Sequence, residues 1–194
     1  MSVMTVQSGL PWGRPLTADD LESMPDDGHR YELIDGTLVV SPAPAWGHQA
    51  VRGRLFNLLY AVCPSDLRVI SAPFEVRLAL STAVQPDIVV ARFADIAPKN
   101  LPVAPLLAVE VRSPSTALVD LDLNLKRAVY ERFGIPSYWL LDPDETAPAL
   151  TVLELEDGSY VERATVKADE TVDVHVPFPF RLCPDDLIRD LRER

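Results

Sequence analysis

The stretch LLAVEVRSPST, residues 106–116, decides how the centre of the chain folds. Apolar residues flank Glu110 on both sides, and such a continuous run is typical of a strand that is covered on both faces. Burying a carboxylate there is costly unless a cation compensates its charge. Arg112 follows two residues later, so in a strand it points to the same face as Glu110. The stretch therefore predicts either a buried ion pair between these two residues or one part of an active site.

A second acidic residue opens another apolar segment. Asp87 follows Pro86 and begins DIVVARF. Pro-Asp is a common turn dipeptide, so Asp87 alone is not diagnostic. If its strand lies beside that of Glu110, however, two carboxylates meet at one edge of a sheet. Mg²⁺ and Mn²⁺ prefer such oxygen ligands, whereas two acids without a metal would repel each other and raise one pKa. The pair predicts a divalent-cation site.

The segment LVDLDLNLKRAVYERFG, residues 118–134, has a polar stripe in a helical pattern. Asp122, Lys126 and Tyr130 recur every four residues and therefore share one face. We expect this face to bring Lys126 beside the carboxylates, and Gly134 to end the helix. Four apolar residues are expected to supply the packing surface of the helix: Leu121, Leu125, Ala128 and Val129.

This helix lies between two apolar strands, the second being SYWLLDP (137–143), which predicts a crossover within a mixed sheet. An irregular arm is expected over residues 1–16. Other patterns predict a helix (17–24), a hairpin turning at Asp35-Gly36, a helix (47–62), strands (67–72, 74–80), a hairpin turning at Asp157-Gly158, a β segment (171–176) and a helix from about 184. We expect one α/β domain over residues 1–194, with a central mixed β-sheet flanked by helices and additional β-hairpins.

The composition narrows the functional classes. A net charge of −11 argues against a nonspecific basic nucleic-acid binder, because phosphate contacts need clustered Lys and Arg. It does not exclude an enzyme that meets phosphates through divalent cations. Cys63 and Cys183 are isolated, which argues against a disulfide framework and a CxxC metal knuckle. The sequence shows no membrane-spanning run and no leader pattern, so we expect a cytoplasmic protein that does not bind membranes.

The order of these motifs resembles the PD-(D/E)XK nuclease superfamily. The matching series is YELIDG, SP, a histidine, QPDIVV, LAVEVRSPST, the Asp-x-x-x-Lys-x-x-x-Tyr helix and GIPSYWLLDP. More narrowly, the chain is similar to the Uma-type restriction endonuclease family over about residues 17–143. A Pro-Asp followed by a Glu is a weak signal, but the ordered series is specific. The resemblance implies a restriction-endonuclease-like core and a Mg²⁺-dependent enzyme that hydrolyses DNA phosphodiester bonds, leaving a 5′-phosphate and a 3′-hydroxyl.

The resemblance also implies roles for single residues. Asp87 and Glu110 are expected to ligate Mg²⁺, with Mn²⁺ as an alternative. The backbone carbonyl of Val111 is expected to be a further ligand. Glu32 is expected to contribute directly or through a water, unless it lies on the surface of an edge hairpin.

The superfamily's usual lysine stands two residues after the glutamate, where this chain has Arg112. An arginine stays protonated at ordinary pH, so it stabilises charge but cannot act as a base. The resemblance implies that the lysine comes from the following helix, and Lys126 fits that position as the third catalytic residue beside Asp87 and Glu110. How Arg112 and Lys126 divide the work stays open.

Supporting residues have competing interpretations. Tyr130, Asp122 and His48 are candidates for substrate contact or support. Asp122 fits a helix N-cap equally well, and His48 opens a helix, where it either approaches a phosphate or caps locally. His29 and His175 lie far from His48 in the sequence, so we expect no histidine-based zinc site.

A homodimer is expected, because two sites cut two strands most simply. Its acidic surface would then need a locally basic cleft. The candidates to line this cleft are Arg52, Arg54, Arg112, Lys126 and Arg127. Two other functions stay open: a catalytically silent nuclease fold that serves as a binding module, and a metal-dependent hydrolase of small phosphorylated substrates.

Overall fold

The structure is a computed structural model that describes residues 13–113 and 117–192. For residues 117–122 and 190 it describes the backbone alone, so the predicted role of Asp122 lies outside the described side chains. Most of the predicted N-terminal arm also lies outside the described residues. Within them, no helix is both long enough and apolar enough to cross a membrane.

The described residues form helices, 3₁₀ turns and short strands. The helices are α1 (Trp46–Val62), α2 (Ala117–Arg132) and α3 (Pro184–Arg192), and the 3₁₀ helices span Ala18–Ser23 and Phe93–Asp95. The strands are β1 (Arg30–Ile34), β2 (Thr37–Ser41), β3 (Leu67–Ser71), β4 (Glu75–Ala79), β5 (Thr82–Val84), β6 (Ile88–Arg92), β7 (Asn100–Leu101), β8 (Leu107–Val111), β9 (Ser137–Asp142), β10 (Ala149–Glu156), β11 (Ser159–Lys167), β12 (Val172–Val174) and β13 (Phe180–Leu182).

A six-stranded mixed sheet has the opening stretch at its centre. Its order is β11-β10-β9-β8-β6-β3, with β8 parallel to β9 and antiparallel to β6. All five residues of β8 are buried, and α2 connects β8 to β9. The predicted crossover, mixed sheet and α/β class are therefore confirmed.

Strand β8 divides its side chains between two cores. Val109 and Val111 pack with residues of α1 and α3. Ala108 packs with residues of α2 and of a second sheet. Because side chains alternate along a strand, Glu110 is directed to the same side as Ala108, between the two sheets.

The second sheet has five strands in the order β2-β1-β5-β4-β7. Its first hairpin turns at Asp35-Gly36, whose φ angles of 51° and 79° suit the tight turns of two-residue hairpins. The predicted hairpin is thus confirmed, but β1 also pairs with β5 through Leu33 and Ala83. The sequence patterns did not predict β5 or β7, which are only three and two residues long.

Helix α2 buries only part of the packing surface that the sequence predicted. Leu125 is 39% exposed and Ala128 is also exposed, so the prediction that they pack was wrong. The side chain of Leu121 lies outside the described ones. Val129 is buried as predicted, and Lys126 and Tyr130 of the polar stripe are buried as well. The reason is electrostatic, since the carboxylates of the two sheets compensate the lysine on the buried face.

Candidate active site

Three carboxylates that the sequence singled out meet between the two sheets. Glu32 lies in β1, Asp87 immediately precedes β6, and Glu110 lies in β8. Their relative exposures are 0%, 0% and 2%. The antiparallel pairing of Ile88 with Val109 sets Asp87 beside the end of β8. Such burial needs compensation by cations and hydrogen bonds, and each acid has them.

Asp87 is held by contacts on both of its oxygens. Its Oδ2 accepts a hydrogen bond from the Val111 N–H at 2.8 Å and lies 3.0 Å from His48 Nε2. Its Oδ1 lies 3.2 Å from Arg30 Nη1. Burial alone would raise the pKa of Asp87, but His48, Arg30 and the Val111 N–H outweigh it and lower the pKa to about 2. Asp87 is therefore an anion at neutral pH.

Glu110 forms a buried cluster with α2. Lys126 Nζ lies 3.2 and 3.3 Å from its two oxygens, and the Tyr130 hydroxyl donates to Oε1 at 2.6 Å. Burial, together with the charge of Asp87, raises the pKa of Glu110 to about 7 against the opposing charge of Lys126. Burial and the charge of Glu110 also raise the pKa of Tyr130, which keeps the phenol a donor.

Glu32 completes the ion-pair network. Its Oε1 accepts a hydrogen bond from the Gln85 N–H at 2.6 Å, and its Oε2 lies 3.1 Å from Lys126 Nζ. Lys126 is fully buried and therefore bridges two acids from different sheets. The alternative that Glu32 is a surface residue of an edge hairpin was wrong, because β5 and α2 cover it.

Arg112 lies just beyond β8, where its Nη1 is 3.4 Å from Asp142 Oδ2. Register explains this contact, since Val111 pairs with Leu141 and the next residues of the two strands are adjacent. The ammonium that hydrogen-bonds Glu110 comes from Lys126. Glu110 is therefore in a buried ion pair, but with Lys126 of α2 and not with Arg112 as one interpretation predicted, which spacing along β8 could not show.

His48 supports Asp87 from the first turn of α1. Its ring is 6% exposed, and within the described residues its Nδ1 has no hydrogen-bond partner. His29 instead lies 3.0 Å from Asp27 on the surface. Among the described residues, no three His, Cys, Asp or Glu side chains form a group that could by itself hold a metal ion.

Arg30 is the site residue that sequence reasoning missed. Besides Asp87, it approaches Glu32 Oε2 through Nε at 3.5 Å and donates from Nη1 to the Gln85 carbonyl at 3.2 Å. A signal existed, because residues two apart in a strand share a face and Arg30 stands two before Glu32. Burial would lower the pKa of Arg30, but Glu32, Glu110 and Asp87 outweigh it and raise the pKa.

The donor set suits a hard divalent cation. Mg²⁺ typically takes one or two carboxylates and keeps several waters, so it does not need a closed cage of three side chains. Among the described residues, the cluster contains three carboxylates but only two permanent cations, Arg30 and Lys126. Burial and this excess of negative charge both agree with the raised pKa of Glu110. Asp87, Glu110 and the Val111 carbonyl therefore fit Mg²⁺ or Mn²⁺ in chemistry, provided that some existing contacts exchange.

Three of the residues proposed to line a basic cleft make contacts within the chain. Lys126 is fully buried, so its placement in an open cleft was wrong. Arg54 donates to the Asp186 carbonyl, and Arg127 points outward with Nη2 3.5 Å from the Tyr160 carbonyl.

Comparisons with known proteins identify the family and the fold. The model of the Uma2 family, described as "Putative restriction endonuclease", matches residues 18–184. A crystal structure described as a "putative nuclease belonging to DUF820" from Anabaena variabilis ATCC 29413 shares the fold. Its TM-score is 0.68 at 22% identity, covering 90% of this chain and 98% of that one. No curated protein matches the chain. The family match spans most of the sequence, and the chain belongs to the Uma2 family.

Proposed function

We propose that the chain is an endonuclease that hydrolyses DNA phosphodiester bonds with the help of Mg²⁺, for which Mn²⁺ can substitute. One observation carries the proposal: Asp87 and Glu110 are buried at adjacent positions of two neighbouring strands, and Lys126 is buried in contact with Glu110. Buried ionisable groups with perturbed pKa values are concentrated at functional sites. Family membership supports nuclease chemistry in general.

Each residue has a distinct task in this proposal. Asp87, Glu110 and the Val111 carbonyl hold the cation, and Glu32 contributes directly or through a water. The His48 ring and the Val111 N–H hold Oδ2 of Asp87, so Oδ1, which now faces Arg30, is the oxygen that a ligand would take. Tyr130 fixes the orientation of Glu110 in the same manner.

When bound, a divalent cation supplies Lewis acidity and lowers the pKa of a coordinated water. Lys126, on leaving its present contacts with Glu32 and Glu110, would orient or deprotonate the attacking water, or offset the charge that develops on the phosphoryl oxygens. Arg112, at the end of β8, adds positive charge without acting as a base. Such a cleavage leaves a 5′-phosphate and a 3′-hydroxyl. We further propose that the chain acts as a homodimer, since two sites cut a duplex most directly.

The test is a cleavage assay on plasmid, single-stranded DNA and RNA with Mg²⁺, Mn²⁺ or EDTA. Cleavage of DNA should require the cation. Asp87→Asn and Lys126→Met should each reduce the rate by about 10²- to 10⁴-fold, the range of a lost catalytic group. Light scattering should report a dimer.

Two matched controls separate chemistry from general loss of charge. Lys99→Met and Asp173→Asn make the same changes on exposed residues and should retain the wild-type rate. Cleavage that survives Asp87→Asn would refute the assigned site. Cation binding without cleavage of any nucleic acid would favour the binding module, and turnover of small phosphate esters alone would favour the small-substrate hydrolase.

A further inference from the structure

Arg30 occupies the oxygen of Asp87 that a cation would need. Oδ2 of Asp87 already faces the Val111 N–H and the His48 ring. Oδ1 faces Arg30 Nη1 at 3.2 Å. A divalent cation that binds Asp87 therefore competes with the guanidinium for Oδ1.

The same guanidinium ties together parts of the site that are distant in sequence. Arg30 begins β1, and it contacts Asp87 of the six-stranded sheet, Glu32 of its own strand and the carbonyl of Gln85. It is thus an internal counter-ion that links both sheets. Without it, two buried carboxylates would each lose a cationic neighbour.

Solvent access distinguishes the two cations of the cluster. The side chain of Lys126 is sealed at 0% exposure, and α2 buries it between Glu32 and Glu110. The side chain of Arg30 keeps 24% exposure. The side chain of Arg30 therefore has direct access to water, whereas that of Lys126 has none in this arrangement.

We propose that Arg30 is a positioning residue that holds Glu32 and Asp87 together before a divalent cation binds and leaves Asp87 Oδ1 when the cation arrives. It thereby stabilises the cation-free protein and weakens cation binding, because two positive charges compete for one oxygen. This inference rests on the cation dependence of the proposed function, but not on its DNA substrate.

The first test measures Mn²⁺ affinity by calorimetry and by electron paramagnetic resonance, with wild-type protein, Arg30→Gln and Arg77→Gln. Arg77 is a matched control: its guanidinium also bridges two acids, Glu75 and Asp19, its side chain is 25% exposed, and it lies in the same sheet. Arg30→Gln should bind Mn²⁺ at least about tenfold more tightly, the low end expected for removing a nearby like charge in water. Arg77→Gln should bind as wild type does.

Thermal unfolding supplies an independent readout. Without cation, Arg30→Gln should melt at a lower temperature than wild type, and saturating Mn²⁺ should raise its melting temperature more than that of wild type. A residue that merely braces the fold would lower both melting temperatures equally. Unchanged or weaker Mn²⁺ affinity in Arg30→Gln, or no Mn²⁺ binding by wild type, would overturn the proposal.

A second test needs no substitution in the tested protein, so it decides the matter if Arg30→Gln fails to fold. In the wild-type protein, the Arg30 Nε–Hε resonance should shift as Mg²⁺ is added, and the Arg77 resonance should not. An Arg30 resonance that stays fixed at saturating Mg²⁺ contradicts the proposal. If the protein does not cleave DNA but shows both the tighter Mn²⁺ binding of Arg30→Gln and the Mg²⁺-induced shift of the Arg30 resonance, the nuclease function is refuted and the role of Arg30 is supported.

Discussion

Replacing Lys126 by methionine tests the cluster most directly. Its Nζ lies 3.1 Å from Glu32 and 3.2 Å from Glu110, and all three side chains are buried. At an effective dielectric constant of about 20, each contact is worth about 5 kcal/mol before desolvation of the ammonium is subtracted. Removing one partner of a buried pair has a net cost of about 3–5 kcal/mol, because it leaves an uncompensated charge. We expect Lys126→Met to lose about that much free energy of unfolding.

The assay is urea unfolding followed by circular dichroism, in EDTA so that no cation replaces the ammonium. Lys99→Met is the control, since the same change at a 79% exposed residue should alter the free energy of unfolding by less than about 0.5 kcal/mol. Adding Glu110→Gln to Lys126→Met removes one of the two carboxylate charges that have lost the ammonium. The double variant should therefore recover about 1–3 kcal/mol, because residues in direct contact are energetically coupled.

Two results would refute this reasoning. A loss below about 1 kcal/mol in Lys126→Met would mean that water reaches the ammonium and screens its contacts. A double variant whose loss equals the sum of the two single losses would mean that Lys126 and Glu110 are not coupled.

Two further predictions concern local structure. Gly36 and Gly158 occupy equivalent hairpin turns with φ of 79° and 83°, so alanine at Gly158 should cost about 1 kcal/mol in urea unfolding. Alanine at Gly36 should lower the free energy of unfolding by about 1–3 kcal/mol more than alanine at Gly158, because its Cβ would lie 3.1 Å from Cβ of Pro15. Equal losses at Gly36 and Gly158 would contradict that contact. Tyr130→Phe removes the 2.6 Å hydrogen bond to Glu110 and should lower the free energy of unfolding by about 1–3 kcal/mol in the same assay. An unchanged free energy would mean that water takes the place of the phenol at the carboxylate.

Arg112 stands where the superfamily that the motifs resemble has a lysine. Lys126 reaches Glu110 from α2, so the ammonium is present although its origin differs. Arg112 is left to contact Asp142 at the end of the neighbouring strand. Position along β8 therefore identifies where the cation is expected, while the packing of α2 decides which residue supplies it.

Local sequence patterns were sufficient for much of the fold. The apolar run around Glu110 is a buried strand, the Asp-Gly pairs at residues 35–36 and 157–158 turn hairpins, and the helix before Gly134 crosses between parallel strands. The spacing of Lys126 and Tyr130 also placed both on the face that meets Glu110. These features depend on periodicity and turn geometry, which neighbouring residues determine by themselves.

Other features were decided only by tertiary structure. The sequence could not show that Arg30 approaches Asp87, because the two residues are 57 positions apart and belong to different sheets. It also misled on α2, where Leu125 is exposed and Lys126 is buried. A hydrophobic pattern treats each side chain separately. The free energy of burying an ion, however, depends on the counter-charges that residues distant in sequence place beside it. The amino-acid sequence by itself determined which acids stand in strands, and only the packing of two sheets against α2 decided which cations hold them.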